Sequence, residues 1–312
     1  MRIAVTGALG HIGSELIRQL PLPFADSEIL LIDDLRTQRY CSLFNLPETG
    51  RYKFIEADVL SADLRPILRG TDVVVHLAAI TDAAGSFQIK EQVEQVNFLG
   101  TKKVAEACID TNSAIIFPST TSVYGMQSEV VDESCPESLL KPQSPYADSK
   151  LQAERLLQDL GASHDLRFVI GRFGTIFGTS VGMRFHTAIN KFCWQAVMNQ
   201  PLTVWRTALN QNRPYLDLID AVRAIIFMID RPLYDRSIYN VVTTNTSVQN
   251  IVEIISALIP KTSVKYVDTE IMNQLSYHVA NDRFVNLGFE FKGDLKRGIA
   301  ETVRLLKTAH RC

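Results

Sequence analysis

In the first half of the chain, two kinds of segment alternate, and they differ in the spacing of their apolar residues. Short runs rich in β-branched residues, such as 2–7, 72–79 and 114–120, have the near-continuous apolar character of buried parallel strands. Between such runs lie longer segments, for example 11–20 and 149–160, in which apolar residues recur at helical spacing. This alternation predicts an α/β fold, a doubly wound parallel Rossmann sheet with helices on both faces.

The pattern changes after Arg172. The stretch 174–212 is rich in Gly, Asn, Gln and aromatic residues, and strands and helices no longer alternate clearly. We therefore predict a Rossmann domain over 1–172, rejoined by about 214–243, and a smaller α/β domain made mainly of 173–312. A chain of 312 residues that is 46% hydrophobic is long enough for both.

Charge and cysteine content narrow the class of partner. The 32 Lys and Arg residues nearly balance the 34 Asp and Glu residues, so we expect a small polar ligand and neither nucleic acid nor a membrane surface. The apolar runs are too short to span a bilayer, and the chain enters a strand at once, so we expect no signal peptide. Five scattered cysteines without a C-x-x-C pair predict reduced thiols, a cytoplasmic protein and no metal site.

A glycine-rich turn indicates a dinucleotide site. Gly7, Gly10 and Gly13 lie between the first strand and the first helix, where missing side chains let a pyrophosphate approach the backbone and the helix N-terminus. Asp33 ends the second strand about 20 residues further on, as a ribose diol acceptor should. With Asp34 it would repel a 2′-phosphate, which favours NAD over NADP. The domain over 1–172 is therefore the predicted NAD-binding domain, and 173–312 is mainly the predicted substrate domain.

Other polar residues near this turn have weaker assignments. His11 is placed near the phosphates, and Asp58, after the third strand, is placed to accept from an adenine amino group, although a strand-end cap is an alternative. Arg36 and Arg39 are interpreted as loop arginines, with a phosphate contact as the alternative. The glycines themselves could also be tight turns without a ligand.

Tyr146 and Lys150 form a candidate catalytic pair. Four residues apart on a helix, their β-carbons are roughly 5 to 6 Å apart on one face. A neighbouring cation stabilises a phenolate and lowers the pKa of the tyrosine, as a general base requires. The same spacing is common on exposed helices, so the spacing alone does not indicate catalysis. The catalytic interpretation is supported by the nucleotide-binding loop that precedes the pair in the sequence.

Taken together, these features resemble one family. The chain resembles the extended short-chain dehydrogenase/reductases, the NAD-dependent epimerase/dehydratase group that acts on nucleotide sugars, over nearly its whole length. The residues that carry the resemblance are the glycine turn, Asp33, Asp58, HLAA at 76–79, Asn97 with Gly100, STTSVYG at 119–125, Tyr146 with Lys150, and Arg172.

The resemblance implies roles for particular residues. Thr120, four residues before Tyr124, would orient the sugar hydroxyl, Tyr146 would remove its proton, and Lys150 would hold the nicotinamide ribose. Further expected cofactor contacts are Ile12, Val59, Leu77, Ala78, Ala79, Asn97 and Pro118. Expected substrate contacts, besides Thr120 and Tyr146, are Thr81, Thr121, Ser122, Thr175, Arg206 and Arg213. The family also implies a homodimer.

The two residues after Thr120 bear on the reaction. Related 4,6-dehydratases carry Asp and Glu there, related decarboxylases carry Glu at the second position, and epimerase-reductases similar to GDP-fucose synthase carry Cys there. Thr121 and Ser122 do not titrate near neutrality, so dehydration is disfavoured. The site is most similar to UDP-galactose 4-epimerase, which predicts epimerisation at C4 through a transient 4-keto sugar with tightly held NAD.

The sequence resembles the family less closely in the part of the chain that is expected to bind the substrate. Thr175 stands where UDP-sugar enzymes usually have asparagine, and Arg206 is an extra cation beside the expected diphosphate ligand Arg213. A guanidinium binds carboxylates as well as phosphates, so a uronic acid is a possible sugar, with a surface arginine as the alternative for Arg206. Alternatives to the epimerase are an NAD(P)H-dependent 4-keto sugar reductase, a dehydratase, and a non-catalytic dinucleotide sensor or scaffold.

Overall fold

A computed structural model describes residues 1–125, 130–268 and 276–309 of the chain. The strands are β1 Arg2–Thr6, β2 Glu28–Asp33, β3 Arg51–Glu56, β4 Val73–His76, β5 Ala114–Thr120, β6 Val130–Val131, β7 Phe168–Phe173, β8 Thr175–Phe177, β9 Leu202–Trp205, β10 Asn212–Asp217, β11 Ile238–Val241, β12 Thr244–Ser247, β13 Val264–Val267 and β14 His278–Val279.

The helices are α1 His11–Gln19, α2 Leu64–Leu68, α3 Lys90–Glu94, α4 Gly100–Thr111, α5 Pro145–His164, α6 Ala188–Val197, α7 Leu218–Asp230, α8 Val248–Leu258, α9 Asp282–Val285 and α10 Leu295–Leu306. A π-helical segment, Gln95–Leu99, joins α3 to α4. Four of the five cysteines are free thiols, and Cys312 lies outside the described residues.

Seven parallel strands form the central sheet in the order β11-β7-β5-β4-β1-β2-β3. The strand order reverses between β1 and β4, so their carboxyl ends flank a crevice, where ligands bind in sheets of this type. The predicted doubly wound α/β fold is confirmed.

Both faces of the sheet are buried, and alternate strand residues serve different faces. Ile3 and Val5 point into one apolar cluster, and Ala4 between them points into another, as the two-residue period of a strand requires. Helices α1 and α7 contribute to the first cluster, while α4 and α5 contribute to the second. This double burial explains why the strands read as continuous apolar runs.

A second group of elements faces the carboxyl edge of the sheet. Strands β12, β10 and β8 form a small sheet, β13 pairs with β9, and α6, α8 and α10 share an apolar cluster with them. The chain returns to the central sheet at β11, after α7 has packed on it. The division into a cofactor domain and a substrate domain remains a prediction. Within the described ranges, no helix has the length and apolar character needed to cross a membrane.

Candidate active site

A cleft of about 560 Å³ lies along the carboxyl edge of the central sheet. Its walls come from the loops after β1, β2, β4 and β5 on one side and from the segment between β7 and β10 on the other. Most of the predicted site residues line it: Gly7, Gly10, His11, Ile12, Gly13, Asp33, Asp34, Asp58, Val59, Leu77, Ala78, Ala79, Thr81, Pro118, Thr120, Ser122, Tyr146, Lys150, Thr175 and Arg213.

The glycine turn brings backbone to the cleft. Gly7 has a φ of +65°, and a β-carbon there would lie 2.7 Å from the amide nitrogen of Ala78. A β-carbon on Gly13 would lie 2.5 Å from the carbonyl oxygen of Gly7. Gly10 provides no side-chain cap to α1, which leaves the positive end of that helix free to receive an anion. The turn therefore fits a pyrophosphate and excludes side chains.

Asp33 is fixed at the end of β2 by two backbone groups. Its carboxylate accepts hydrogen bonds of 3.0 Å from the amides of Leu9 and Leu35. Burial raises the pKa of Asp33, and these two hydrogen bonds oppose the shift. One carboxylate held in this way can accept both hydroxyls of an adenosine ribose.

Arg36 is already occupied by the neighbouring carboxylates. Its guanidinium lies 3.2 Å from Asp34 and 3.4 Å from Asp58. Arg39 faces Asp33 across the cleft mouth, and burial lowers its pKa. The interpretation of Arg36 as a loop arginine without a phosphate contact therefore agrees with its ion pairs.

Asn97, a predicted cofactor contact, does not line the cleft. Its amide group lies beneath the wall, where it accepts from the amide of Ile80 at 2.8 Å and donates to the carbonyl of Ile80 at 3.0 Å. It also donates to Ser149 of α5 at 3.1 Å. These bonds use both amide protons and the amide oxygen, so Asn97 supports the loop after β4 from below.

Thr120, Tyr146 and Lys150 meet in the middle of the cleft. Ser144 caps α5 by accepting from the amide of Ala147 at 3.2 Å, which places Tyr146 in the first turn and Lys150 one turn later. Thr120 ends β5, accepts from a backbone amide in the following turn, and shares a hydrogen bond with Tyr146. The predicted triad is thus brought together by the ends of two elements.

Burial shifts the pKa values of this pair in opposite directions. Burial raises the pKa of Tyr146 to about 12, and the hydrogen bond with Thr120 opposes the shift. Burial lowers the pKa of Lys150 to about 7, and the charge of Glu154 opposes that shift. The Lys150 ammonium donates to the carbonyl of Pro118 at 2.7 Å and lies 4.3 Å above the ring of Phe117. A lysine poised near neutrality is typical of a functional site.

A strap, residues 178–184, crosses from the substrate side onto the glycine turn. The imidazole of His11 donates to the carbonyl of Gly178 at 3.0 Å, and burial lowers the pKa of His11 to about 4. The amide of Gly182 donates to the hydroxyl of Ser14 at 3.0 Å. These hydrogen bonds hold the start of α1 against the strap, which belongs to the opposite wall of the cleft.

The end of the strap reaches the loop after β4. Arg184 donates to the hydroxyl of Thr81 at 2.9 Å, and both residues line the cleft. Lys191, in the first half of α6, adds a second cation on the same side, and Arg213 on β10 adds a third. The substrate half of the cleft therefore favours an anionic ligand.

Two predicted substrate contacts lie elsewhere. Arg206 points outward, where it pairs with Asp268 at 3.0 Å and lies 5.3 Å from the ring of Tyr266. Thr121 is buried behind the cleft wall, where its hydroxyl donates to the carbonyl of Phe173 at 3.4 Å. Neither side chain lines the cleft, because Asp268 and the carbonyl of Phe173 hold them elsewhere.

Sequence reasoning missed several lining residues. Arg184 and Lys191 come from a stretch without a recognised motif, and their one signal is a pair of cations around the start of a helix. Tyr277 lines the cleft and hydrogen-bonds the hydroxyls of Thr121 and Ser122. It lies 156 and 155 positions after these two residues in the sequence. Nothing local in the sequence indicates that approach.

A parallel sheet with a glycine turn, a ribose-binding acid and a Tyr–Lys pair in one cleft defines a dinucleotide-dependent enzyme of the Rossmann type. The chain belongs to the NAD dependent epimerase/dehydratase family, whose model matches residues 3–241. The predicted family resemblance is therefore confirmed. In the described ranges no group of three or more His, Cys, Asp or Glu side chains could hold a metal ion.

Two curated proteins illustrate the range of the family. The uncharacterised UDP-glucose epimerase YtcB of Bacillus subtilis is 33% identical over 241 residues, 74% of this chain and 73% of that protein. A dTDP-D-glucose 4,6-dehydratase of Bos taurus is 30% identical over 320 residues, 97% of this chain and 87% of that protein. Sequence similarity thus supports a nucleotide-sugar enzyme and leaves the reaction open between epimerase and dehydratase.

A solved structure shows the same architecture. UDP-glucuronic acid 4-epimerase from Bacillus cereus, in complex with UDP-glucuronic acid and NAD, superimposes with a TM-score of 0.85 at 26% identity, covering 98% of this chain and 100% of that one. The cofactor of this family is NAD, and the glycine turn and Asp33 of this chain fit it. The predicted cofactor is confirmed.

Proposed function

We propose that this protein is an NAD-dependent nucleotide-sugar epimerase that inverts C4 of an NDP-hexose or NDP-uronic acid. The observation that carries the proposal is the chemistry around Tyr146. Its described neighbours at the end of β5 are the hydroxyl of Thr120 and the lining hydroxyl of Ser122. One titratable base with neutral partners is suited to moving a hydroxyl proton, and elimination of water would call for a further acid.

Each member of the triad has a distinct task in this proposal. Thr120 accepts a backbone hydrogen bond at 3.1 Å and shares a hydrogen bond with Tyr146, which holds its hydroxyl beside that phenol, where it would orient the C4 oxygen of the sugar. Tyr146 takes the proton from that oxygen and later returns it. Lys150 favours the phenolate electrostatically and holds the cofactor ribose. NAD, when bound, supplies hydride acceptance and return.

The strap supports epimerase over reductase. An epimerase regenerates its cofactor in each turnover and gains from retaining it, whereas a reductase must exchange it. Residues 178–184 bond to His11 at the glycine turn and, through Arg184, to Thr81 across the cleft. Release of a bound dinucleotide would require these contacts to open. We therefore expect NAD to copurify with the protein.

The cations of the substrate half support a nucleotide diphosphate ligand. Arg184, Lys191 and Arg213 line the cleft from three separate segments. A diphosphate carries enough charge to engage all three, and a uronic acid would add a carboxylate for one of them or for the hydroxyl of Thr175. UDP-glucuronic acid in the Bacillus cereus structure makes uronic acids the first sugars to test.

Dehydration is the second candidate, favoured by the Bos taurus relative. It is weakened here by Thr121, which is buried behind the wall, and by Ser122, since neither titrates near neutrality. A 4-keto sugar reductase and a non-catalytic sensor are weaker still. Homodimer formation and a cytoplasmic location belong to the same proposal.

The test is to incubate purified protein, without added cofactor, with UDP-, GDP-, dTDP- and CDP-hexoses and uronic acids, and to follow sugar configuration by NMR. We expect one sugar to convert to its C4 epimer. The Tyr146→Phe variant should bind NAD normally and lose about 10³-fold or more in kcat, since it lacks the general base.

Three outcomes would count against the proposal. Loss of water from the sugar would identify a dehydratase, and conversion of a 4-keto sugar only with added NADH would identify a reductase. Unchanged activity of the Tyr146→Phe variant would remove Tyr146 from the mechanism.

A further inference from the structure

Below Lys150, the inner face of α5 carries a second buried charge that the proposed reaction does not use. Glu154 is 1% exposed and faces Arg172 of β7, which is 3% exposed. The guanidinium of Arg172 donates to both carboxylate oxygens, at 2.7 Å from Nη2 to Oε2 and 3.1 Å from Nε to Oε1. The hydroxyl of Ser119 donates to the same carboxylate. The Glu154 carboxylate is thus held by two partners, one of them charged.

Glu154 continues the column that begins at the catalytic pair. Tyr146, Lys150 and Glu154 are spaced four residues apart, so they lie one above the other on one face of α5. Arg172 extends the column into the sheet, with its guanidinium 4.8 Å from the ring of Tyr124. From the cleft inward the groups are a phenol, an ammonium, a carboxylate and a guanidinium.

Among the residues that the structure describes, the other groups facing Lys150 do not carry negative charge. From β5, the ring of Phe117 and the carbonyl of Pro118 face the ammonium. From β4, His76 faces it, and burial lowers the pKa of His76 to about 3, so the imidazole is neutral at physiological pH. From α5 itself come Tyr146, which is a neutral phenol in the resting state, and Glu154.

A buried ammonium without a counter-charge releases its proton. Lys150 must keep its proton if it is to stabilise the phenolate of Tyr146. Arg172 and Ser119 bind the Glu154 carboxylate, while the Lys150 ammonium donates to the carbonyl of Pro118. The carboxylate therefore acts at a fixed separation, by its field, and leaves the ammonium free to donate into the cleft.

We propose that Glu154 is a positioning residue that, held by Arg172 and Ser119, supplies the negative charge that keeps Lys150 protonated beside Tyr146. The catalytic consequence rests on the proposed function, in which Tyr146 is the base. The protonation of Lys150 is a property of the folded chain and can be measured without any sugar.

The experiment compares Glu154→Gln, which keeps the shape and removes the charge, with Asp159→Asn, which removes an exposed carboxylate further along the same helix. Competitive labelling with acetic anhydride from about pH 5 to about pH 10, read by mass spectrometry, gives the pKa of Lys150 in each folded variant. We expect the pKa of Lys150 to fall by about one unit or more in Glu154→Gln and to stay unchanged in Asp159→Asn. Glu154→Asp should restore most of the difference.

Folding is controlled by a second variant. Glu154→Gln leaves Arg172 buried without its partner, and that orphan charge could unfold the chain. The double variant Glu154→Gln/Arg172→Gln removes both charges, and there we expect a smaller fall in the pKa of Lys150. Folded Glu154→Gln, or the folded double variant, with an unchanged Lys150 pKa would overturn the proposal and leave Glu154 a structural residue.

Activity adds an independent measurement. In Glu154→Gln the alkaline limb of the pH profile of kcat/KM should move to lower pH together with the pKa of Lys150. A shifted Lys150 pKa in a protein that converts none of the nucleotide sugars would refute the epimerase function and leave the role of Glu154 standing.

Discussion

The two halves of the cleft are built in different ways. On the predicted cofactor side the wall of the cleft is backbone: the glycine turn after β1, the end of β2 and the loop after β4 converge because parallel strands end at one edge. On the predicted substrate side the wall carries long charged side chains, Arg184, Lys191 and Arg213, which come from separate elements. We therefore expect the cofactor half to tolerate few substitutions and the substrate half to change its ligand specificity without a change of fold.

Among the variants that test this difference between the two halves of the cleft, a substitution at Gly7 is expected to have the largest effect. Gly7→Ala would place a β-carbon 2.7 Å from backbone atoms of Leu77 and Ala78 at a φ of +65°. Either β1 or the loop after β4 must shift, so NAD affinity should fall by about 100-fold or more, measured by calorimetry on NAD-free protein.

Gly70 is the matched control for that variant. It also has a positive φ, +74°, but the nearest atom to an added β-carbon is a flexible arginine nitrogen at 3.8 Å. Gly70→Ala should cost about 1 kcal/mol of stability and leave NAD affinity unchanged. Equal losses of affinity in the two variants would show that strain at a positive φ, and not the clash with Leu77 and Ala78, determines the glycine requirement.

A smaller and more selective effect is expected on the substrate side. Arg213→Ala should raise KM for the nucleotide sugar by about 10- to 100-fold, because a charge-assisted hydrogen bond to phosphate is lost, with NAD retention unchanged. Arg206→Ala is the control, because Arg206 lies on the same side but pairs outward with Asp268. It should leave both the KM for the nucleotide sugar and the retention of NAD unchanged. A larger KM effect at Arg206 would reverse our assignment of these two arginines.

The smallest expected effect is on the pH dependence of stability, and it arises from His76, which is buried beneath the cofactor half of the cleft. The ring of His76 is buried and bonds Thr6 at 2.7 Å and Thr101 at 3.1 Å. Burial lowers its pKa from 6.5 to about 3, so between those values the unfolded chain binds a proton that the folded chain does not. Stability should therefore fall as the pH falls through this window, by about 1 kcal/mol between pH 6 and pH 5.

Urea unfolding across that range measures the effect. His76→Asn should flatten the pH dependence, although it should also lower stability at neutral pH because it removes packed ring atoms. His164→Asn, at an exposed histidine, should leave the slope unchanged. An unchanged slope in His76→Asn would mean that other groups account for the acid sensitivity.

The fold and the meeting of Thr120, Tyr146 and Lys150 in one cleft could be predicted because their requirements are local. A glycine is needed wherever backbone must approach within a van der Waals contact, an acid must follow a particular strand, and a Tyr–Lys pair needs only one turn of helix. Gly7, Asp33, Tyr146 and Lys150 therefore appear in the sequence at the places where the structure uses them.

Residues whose role depends on orientation could not be predicted in this way. Asn97 and Arg206 are of the right type and near the right place, yet Asn97 bonds Ile80 beneath the wall and Arg206 turns to Asp268, 62 residues away. Tyr277 lines the cleft without any local signal, and Arg184 lines it from a stretch whose one signal is a pair of cations around the start of a helix. Each of these outcomes depends on a contact with a segment distant in sequence.

The sequence by itself determined the parallel sheet, the dinucleotide turn and the Tyr–Lys pair, because hydrophobic period and glycine placement act within one or two elements. Only the tertiary structure decided which cations face the ligand, how the strap fastens to the glycine turn, and that Glu154 lies with Arg172 beneath Lys150. Those relations depend on how separate elements pack, and packing fixes side-chain direction through contacts that no single segment contains.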